Sequence, residues 1–158
     1  MSRSGYSYDC DSWELIRWRG AVASAVRGKR GQALLREMAA ALDAMPVKEL
    51  VAEDLITPDG GCCAFGAVAM ARGVTYEDLP ESTFRFWDPF TLEILGRRER
   101  QVEFSGEQLA EAFDVAPALA CEIVSINDDY LGHAKDEHAR ATRWWVVRNW
   151  IARHLNDG

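Results

Sequence analysis

A chain of 158 residues that is 48% hydrophobic and 27% charged has the make-up of one globular domain with a real core, which excludes a disordered or fibrous polymer. Its net charge of −7 weighs against nucleic acid as the main partner, because phosphate binding asks for a cationic surface. The N-terminus has no apolar signal core and no window approaches the roughly 18 apolar residues of a membrane span, so the expectation is a cytoplasmic protein with no membrane partner.

Residues 1–11 are rich in Ser, Gly and Tyr and read as a flexible N-terminal arm; 12–158 read as a single helical domain. Ser12 is the expected N-cap of a helix from Trp13 to about Arg27, with Leu15, Ile16, Val22, Ala23 and Val26 in one sector. Gly28-Lys29-Arg30-Gly31 breaks it. From Gln32 to Met45, Leu34, Leu35, Met38, Ala41, Leu42 and Met45 form one apolar stripe, and Pro46 stops the helix. Residues 1–36 carry seven basic against three acidic side chains, so a +4 segment adjoins a remainder of −11.

Leu50 to Ile56 is either a short strand pairing back on Gly61 to Ala64 or another helical turn, with a small hairpin the favoured reading. Pro58-Asp59-Gly60-Gly61 is a turn signal, and the small, apolar run from Cys62 to Ala71 closed by Gly73 predicts a short helix buried on both faces, in the middle of the domain. Residues 81–104 form an insertion holding Phe84, Phe86, Trp87, Phe90 and Phe104 with Arg97, Arg98 and Arg100, and its pattern permits hairpin or helix. Ser105 with Gln108 makes a capping box, and Pro117 takes the first position of the next helix, which carries Leu119, Ala120, Ile123 and Ile126 and ends with Asn127 as C-cap. The last helix runs from Lys135 to Leu155 with Trp144, Val147, Ile151 and Leu155 on one face, Trp145 and Trp150 off it. The fold expected is mainly α: five or six helices with at most a short β-hairpin.

Chemistry is sparse. Cys10, Cys62, Cys63 and Cys121 lack zinc-type spacing and read as reduced thiols. Cys62 and Cys63 follow two glycines at a helix start, where the macrodipole favours a thiolate. A thiol enzyme can be drawn with Cys63 as nucleophile, His133, His138 or His154 as base and Asn127 or Asp128 as orienting group. The competing reading makes both cysteines small core residues. His133 and His138 lie five apart, which does not suit ligands on one helix, so no metal or cofactor is expected. Leu109 to Ile123 has helix-turn-helix spacing, yet its second helix offers Pro117, Ala118, Leu119, Ala120, Cys121 and Glu122 where a DNA reader needs basic residues. A nucleic-acid surface would instead use Arg27, Lys29 and Arg30.

Gly61-Cys62-Cys63-Ala64-Phe65-Gly66-Ala67, followed some sixty residues later by Ile123-Val124-Ser125-Ile126-Asn127-Asp128, resembles a group of small bacteriophage and prophage proteins with a Cys-(Cys/Ala)-x-Gly-(Ala/Val) helix start and a late Asn-Asp. Arg27 to Gln32 is similar too. The match covers about half of the chain in short pieces and leaves out 81–104. It implies a phage genomic setting in a bacterial host and carries no activity. Aromatic and arginine residues are enriched at binding hot spots, so the expected function is a non-enzymatic accessory protein that binds a protein partner, a host or defence component, through Phe84, Phe86, Trp87, Phe90, Arg97, Arg98 and Arg100 together with Trp145 and Trp150.

Overall fold

The computed structural model describes residues 12–79, 104–129 and 137–156. Expectations that fall elsewhere, including the N-terminal arm, His133 and all of the insertion but Phe104, lie outside the described residues. Within them run six α-helices and one 3-10 turn: α1 Ser12–Arg27, α2 Lys29–Ala44, α3 Ala64–Ala71, the turn Tyr76–Asp78, α4 Gly106–Ala112, α5 Pro117–Asp128 and α6 Glu137–His154. No strand is present among them; the expected hairpin is reduced to one antiparallel bridge between Ile56 and Cys62. The fold is mainly α.

Two helices organise the packing. α1, α3 and α6 each lie against both α2 and α5, and α4 packs on α5. The apolar stripe of α2 is the core: Leu34, Leu35, Met38, Ala41 and Leu42 are buried, as the periodicity requires. The break expected over 28–31 shrinks to Gly28, an extended N-cap, and Lys29 to Gly31 are already helical. The cause is tertiary. A Cβ added at Gly31 would lie 2.0 Å from the Ala25 carbonyl oxygen, so a glycine inside the helix lets the α1–α2 corner close.

The far end of α2 is capped by charge. The Lys48 ammonium donates to the carbonyls of Leu42 at 3.2 Å, Asp43 at 2.5 Å and Met45 at 2.8 Å, setting a cation on the negative end of the helix dipole. α6 docks beside it, with Trp144 Nε1 donating to the Leu42 carbonyl at 3.2 Å and Arg148 gripping Asp43 in a two-pronged pair at 2.7 and 2.8 Å. Val147 and Ile151 fill the core from the same helix.

The Ser105–Gln108 capping box starts α4, and Pro117 opens α5 after a turn in which Asp114 takes φ 52°. Two expectations fail. Asn127 is no C-cap: Asp129 caps α5, and Asn127, the penultimate helical residue, is buried with its amide bonded to Ala64 and Val51. In α1, Val26 is buried, but Trp13, Leu15 and Ile16 are 72%, 43% and 56% exposed; Leu15 lines an open cleft, and Ile16 sits about 100° round the helix from it.

Candidate functional site

The Cys-Cys and Asn-Asp segments meet at the start of α3. Thr57 N–H donates to the Gly61 carbonyl at 2.8 Å and Val51 N–H to that of Cys62 at 2.9 Å, folding 51–62 back on itself. Cys63 follows as the N-cap of α3, its sulfur accepting from Gly66 N–H at 3.4 Å. Asn127 then locks the junction from α5: its Oδ1 accepts from Ala64 N–H at 3.1 Å, and its Nδ2 donates to the Val51 carbonyl at 2.8 Å and to Asp128 Oδ1 at 2.7 Å. The same Asp128 oxygen accepts from Glu53 N–H at 3.1 Å, at a residue held at φ 68° in a tight turn closed by Asp54 N–H on the Ala52 carbonyl. A buried amide with every polar group satisfied acts as a rivet.

This geometry reverses the expected electrostatics of the thiol. The helix start was expected to favour a thiolate; instead burial pushes the Cys63 thiol up to about 12, and the Asp128 carboxylate adds to the rise against the opposing hydrogen bond from Gly66. Cys63 keeps some exposed surface as a residue, yet its sulfur faces the protein interior. Burial likewise lifts Cys62 to about 11. Cys63 and Asp128 are therefore brought together, but as neighbours that oppose ionisation. His138 is exposed on α6, and His154 stacks on Trp150 at 4.3 Å while its Nδ1 donates to the Trp150 carbonyl.

Of the expected partner-binding residues inside the described chain, Trp145 projects from α6 at 62% exposure and Trp150 is half-buried beneath its stack with His154. The three residues of the nucleic-acid alternative part company. Lys29 and Arg30 line a shallow hollow of about 210 Å³ with Ala116, and Arg30 pairs with Asp114 at 2.9 Å. Arg27 belongs instead to a larger cleft of about 360 Å³.

That cleft lies between α1, Glu122 of α5 and the end of α6. Two rows of α1 form one wall at four-residue spacing: Trp18, Val22 and Val26 make an apolar ridge, and Leu15, Arg19, Ala23 and Arg27 a ridge that ends in charge. Arg153, His154 and Asn156 form the opposite wall. Glu122 accepts from Trp18 Nε1 at 3.3 Å, fixing the indole. Behind the cleft the buried Gln32 joins both walls: its Nε2 donates to the carbonyls of Val26 and His154, both at 2.8 Å, and its Oε1 accepts from Asn156 N–H at 2.9 Å. The basic excess of residues 1–36 was the one sequence signal of this site; the α6 wall and Gln32 left none.

Among the described residues no group of three or more His, Cys, Asp or Glu side chains is placed to hold a metal ion, and no helix is long and apolar enough to cross a membrane. Comparison with protein-family models, with curated proteins and with solved structures gives no match for the chain.

Proposed function

We propose that this chain is a non-enzymatic, phage-type accessory protein that works in the bacterial cytoplasm by binding a protein partner, with inhibition of a host or defence component as its biological role. The observation that carries the reading is Trp145, a tryptophan left 62% exposed on a helix that Trp144 and Arg148 tie to α2. Tryptophan is the side chain that most often anchors a protein interface, and a rigid helix presents it at little entropic cost. The raised Cys63 thiol supports the same reading, since a nucleophile must ionise to attack. The phage setting rests on the resemblance of the Gly61–Ala67 and Ile123–Asp128 segments.

The test is capture of partners from a bacterial lysate on the full chain, followed by Trp145→Ala and by Trp87→Ala with Arg98→Ala. Loss of a partner by about 30-fold or more is expected for an anchoring tryptophan; if every captured protein stays bound with unchanged affinity, these surfaces are not the interface. Site-resolved iodoacetamide labelling separates the enzyme alternative. Cys63 is expected to react at least about 100-fold more slowly at pH 7 than an exposed thiol, in line with its suppressed ionisation. Labelling at the rate of a free thiol would reinstate the catalytic reading with Asp128 and His133.

A further inference from the structure

We infer that the cleft between α1 and the end of α6 is a docking site for an acidic segment of a partner protein carrying a bulky apolar side chain. The inference rests on the protein-binding reading above and adds to it a second surface and the chemistry of what that surface takes. A volume of about 360 Å³ lies at the small end of ligand sites and suits one large side chain with its flanking backbone. The apolar ridge of Trp18, Val22 and Val26 offers that side chain its seat, and Glu122 holds the Trp18 indole so that the ridge does not have to reorganise on binding.

The charge at the rim selects the rest. Arg19, Arg27 and Arg153 line the cleft against one carboxylate, Glu122, which is already engaged by the indole. None of the three arginines forms an ion pair with another described residue. On a chain of net charge −7 this is a local cationic mouth, complementary to an anionic ligand. Arg19 and Arg27 stand eight residues apart on one helix row, a backbone rise of about 12 Å that spreads positive charge along the cleft. Two or more carboxylates spaced along a peptide span that distance. A nucleic-acid strand supplies spaced charge as well, but its sugar-phosphate backbone has no apolar group to fill the ridge of Trp18, Val22 and Val26, and the net charge of −7 on the chain opposes it.

The experiment is a fluorescence-anisotropy titration of the full chain with three labelled hexapeptides: Glu-Asp-Trp-Leu-Asp-Glu, its lysine counterpart Lys-Lys-Trp-Leu-Lys-Lys, and the anchorless Glu-Asp-Ser-Gly-Asp-Glu. The first is expected to bind, to weaken as salt screens the rim charges, and to weaken about tenfold in Arg19→Gln with Arg27→Gln. Both arginines are exposed, and circular dichroism of the variant confirms that its helices persist; Arg153→Gln, on the opposite wall, must lower the affinity too. No saturation by the first peptide up to about 1 mM overturns the proposal. So does equal binding of either control peptide, an affinity indifferent to the arginine variants, or displacement of the peptide by a short single-stranded oligonucleotide. Because lysate capture scores Trp145 and the titration scores Arg19, Arg27 and Arg153, a failed titration beside a Trp145-dependent partner removes the cleft and leaves the protein-binding reading intact.

Discussion

Asn127 joins the start of α3, the folded-back segment at Val51 and its own neighbour Asp128, and truncating it strands Ala64 N–H and the Val51 carbonyl in the interior. Asn127→Ala is expected to cost about 2–4 kcal/mol in urea denaturation, the range for a buried polar group left without partners. Asp128 behaves in the opposite sense. Burial raises its carboxyl above the ordinary 3.8, so the folded state holds this proton more tightly than the unfolded chain does. Its contribution to stability is complete below the unfolded value and is lost as pH climbs through the folded one. Asp128→Asn keeps an Oδ1 to accept from Glu53 N–H and Asn127 Nδ2 while removing the charge, so its advantage over the parent should widen as pH rises from about 4 to 7. A gap that stays constant across that range would show that the buried charge is not the cost.

Helices here are placed by glycines as much as by apolar stripes. Alanine is the better helix former by about 1 kcal/mol, so propensity alone makes every helical Gly→Ala change favourable. Space decides otherwise at Gly66, where the new Cβ would stand 1.8 Å from the Leu55 carbonyl oxygen, the acceptor of Cys63 N–H. Gly66→Ala is expected to destabilise by about 3 kcal/mol, the upper end of overpacking costs, because backbone on both sides must shift. Gly20 on α1 has nothing within 4 Å of its added Cβ, so Gly20→Ala should stabilise by about 1 kcal/mol. Paired thermal melts read the opposite signs directly, and a shared sign would refute the close approach at Gly66.

Across the molecule, Gln32 ties the first helical corner to the end of the chain's last helix. Gln32→Leu is close in volume but abandons the Val26 and His154 carbonyls and Asn156 N–H. Expected are a loss of about 2–3 kcal/mol and faster amide exchange at Leu155 and Asn156, with weaker binding of the acidic peptide because the cleft walls lose their register. Unchanged exchange at the end of α6 would mean that core packing at Ile151 alone seats that helix.

What could be read from the chain alone was whatever depends on near neighbours. The α2 stripe, the Ser105–Gln108 box, Pro117 at the head of α5 and the turn before Cys62 follow from spacing and from backbone preferences that act over a few residues. The mainly helical class follows from those. The cysteine pair was legible as a packed segment, but the state of its thiol was not: a local dipole argued for ionisation, and burial by α5 and the folded-back loop outweighed it. Asn127 looked like a helix end because its partners, Ala64 and Val51, lie 63 and 76 residues away. Arg19 and Arg27 were visible as charge, whereas the wall facing them arrives from the far end of the chain and is held by Gln32. Periodicity and caps are settled within one or two turns of backbone. Burial, amide partnership and the shape of a cleft are settled by surfaces that only folding brings within reach of each other.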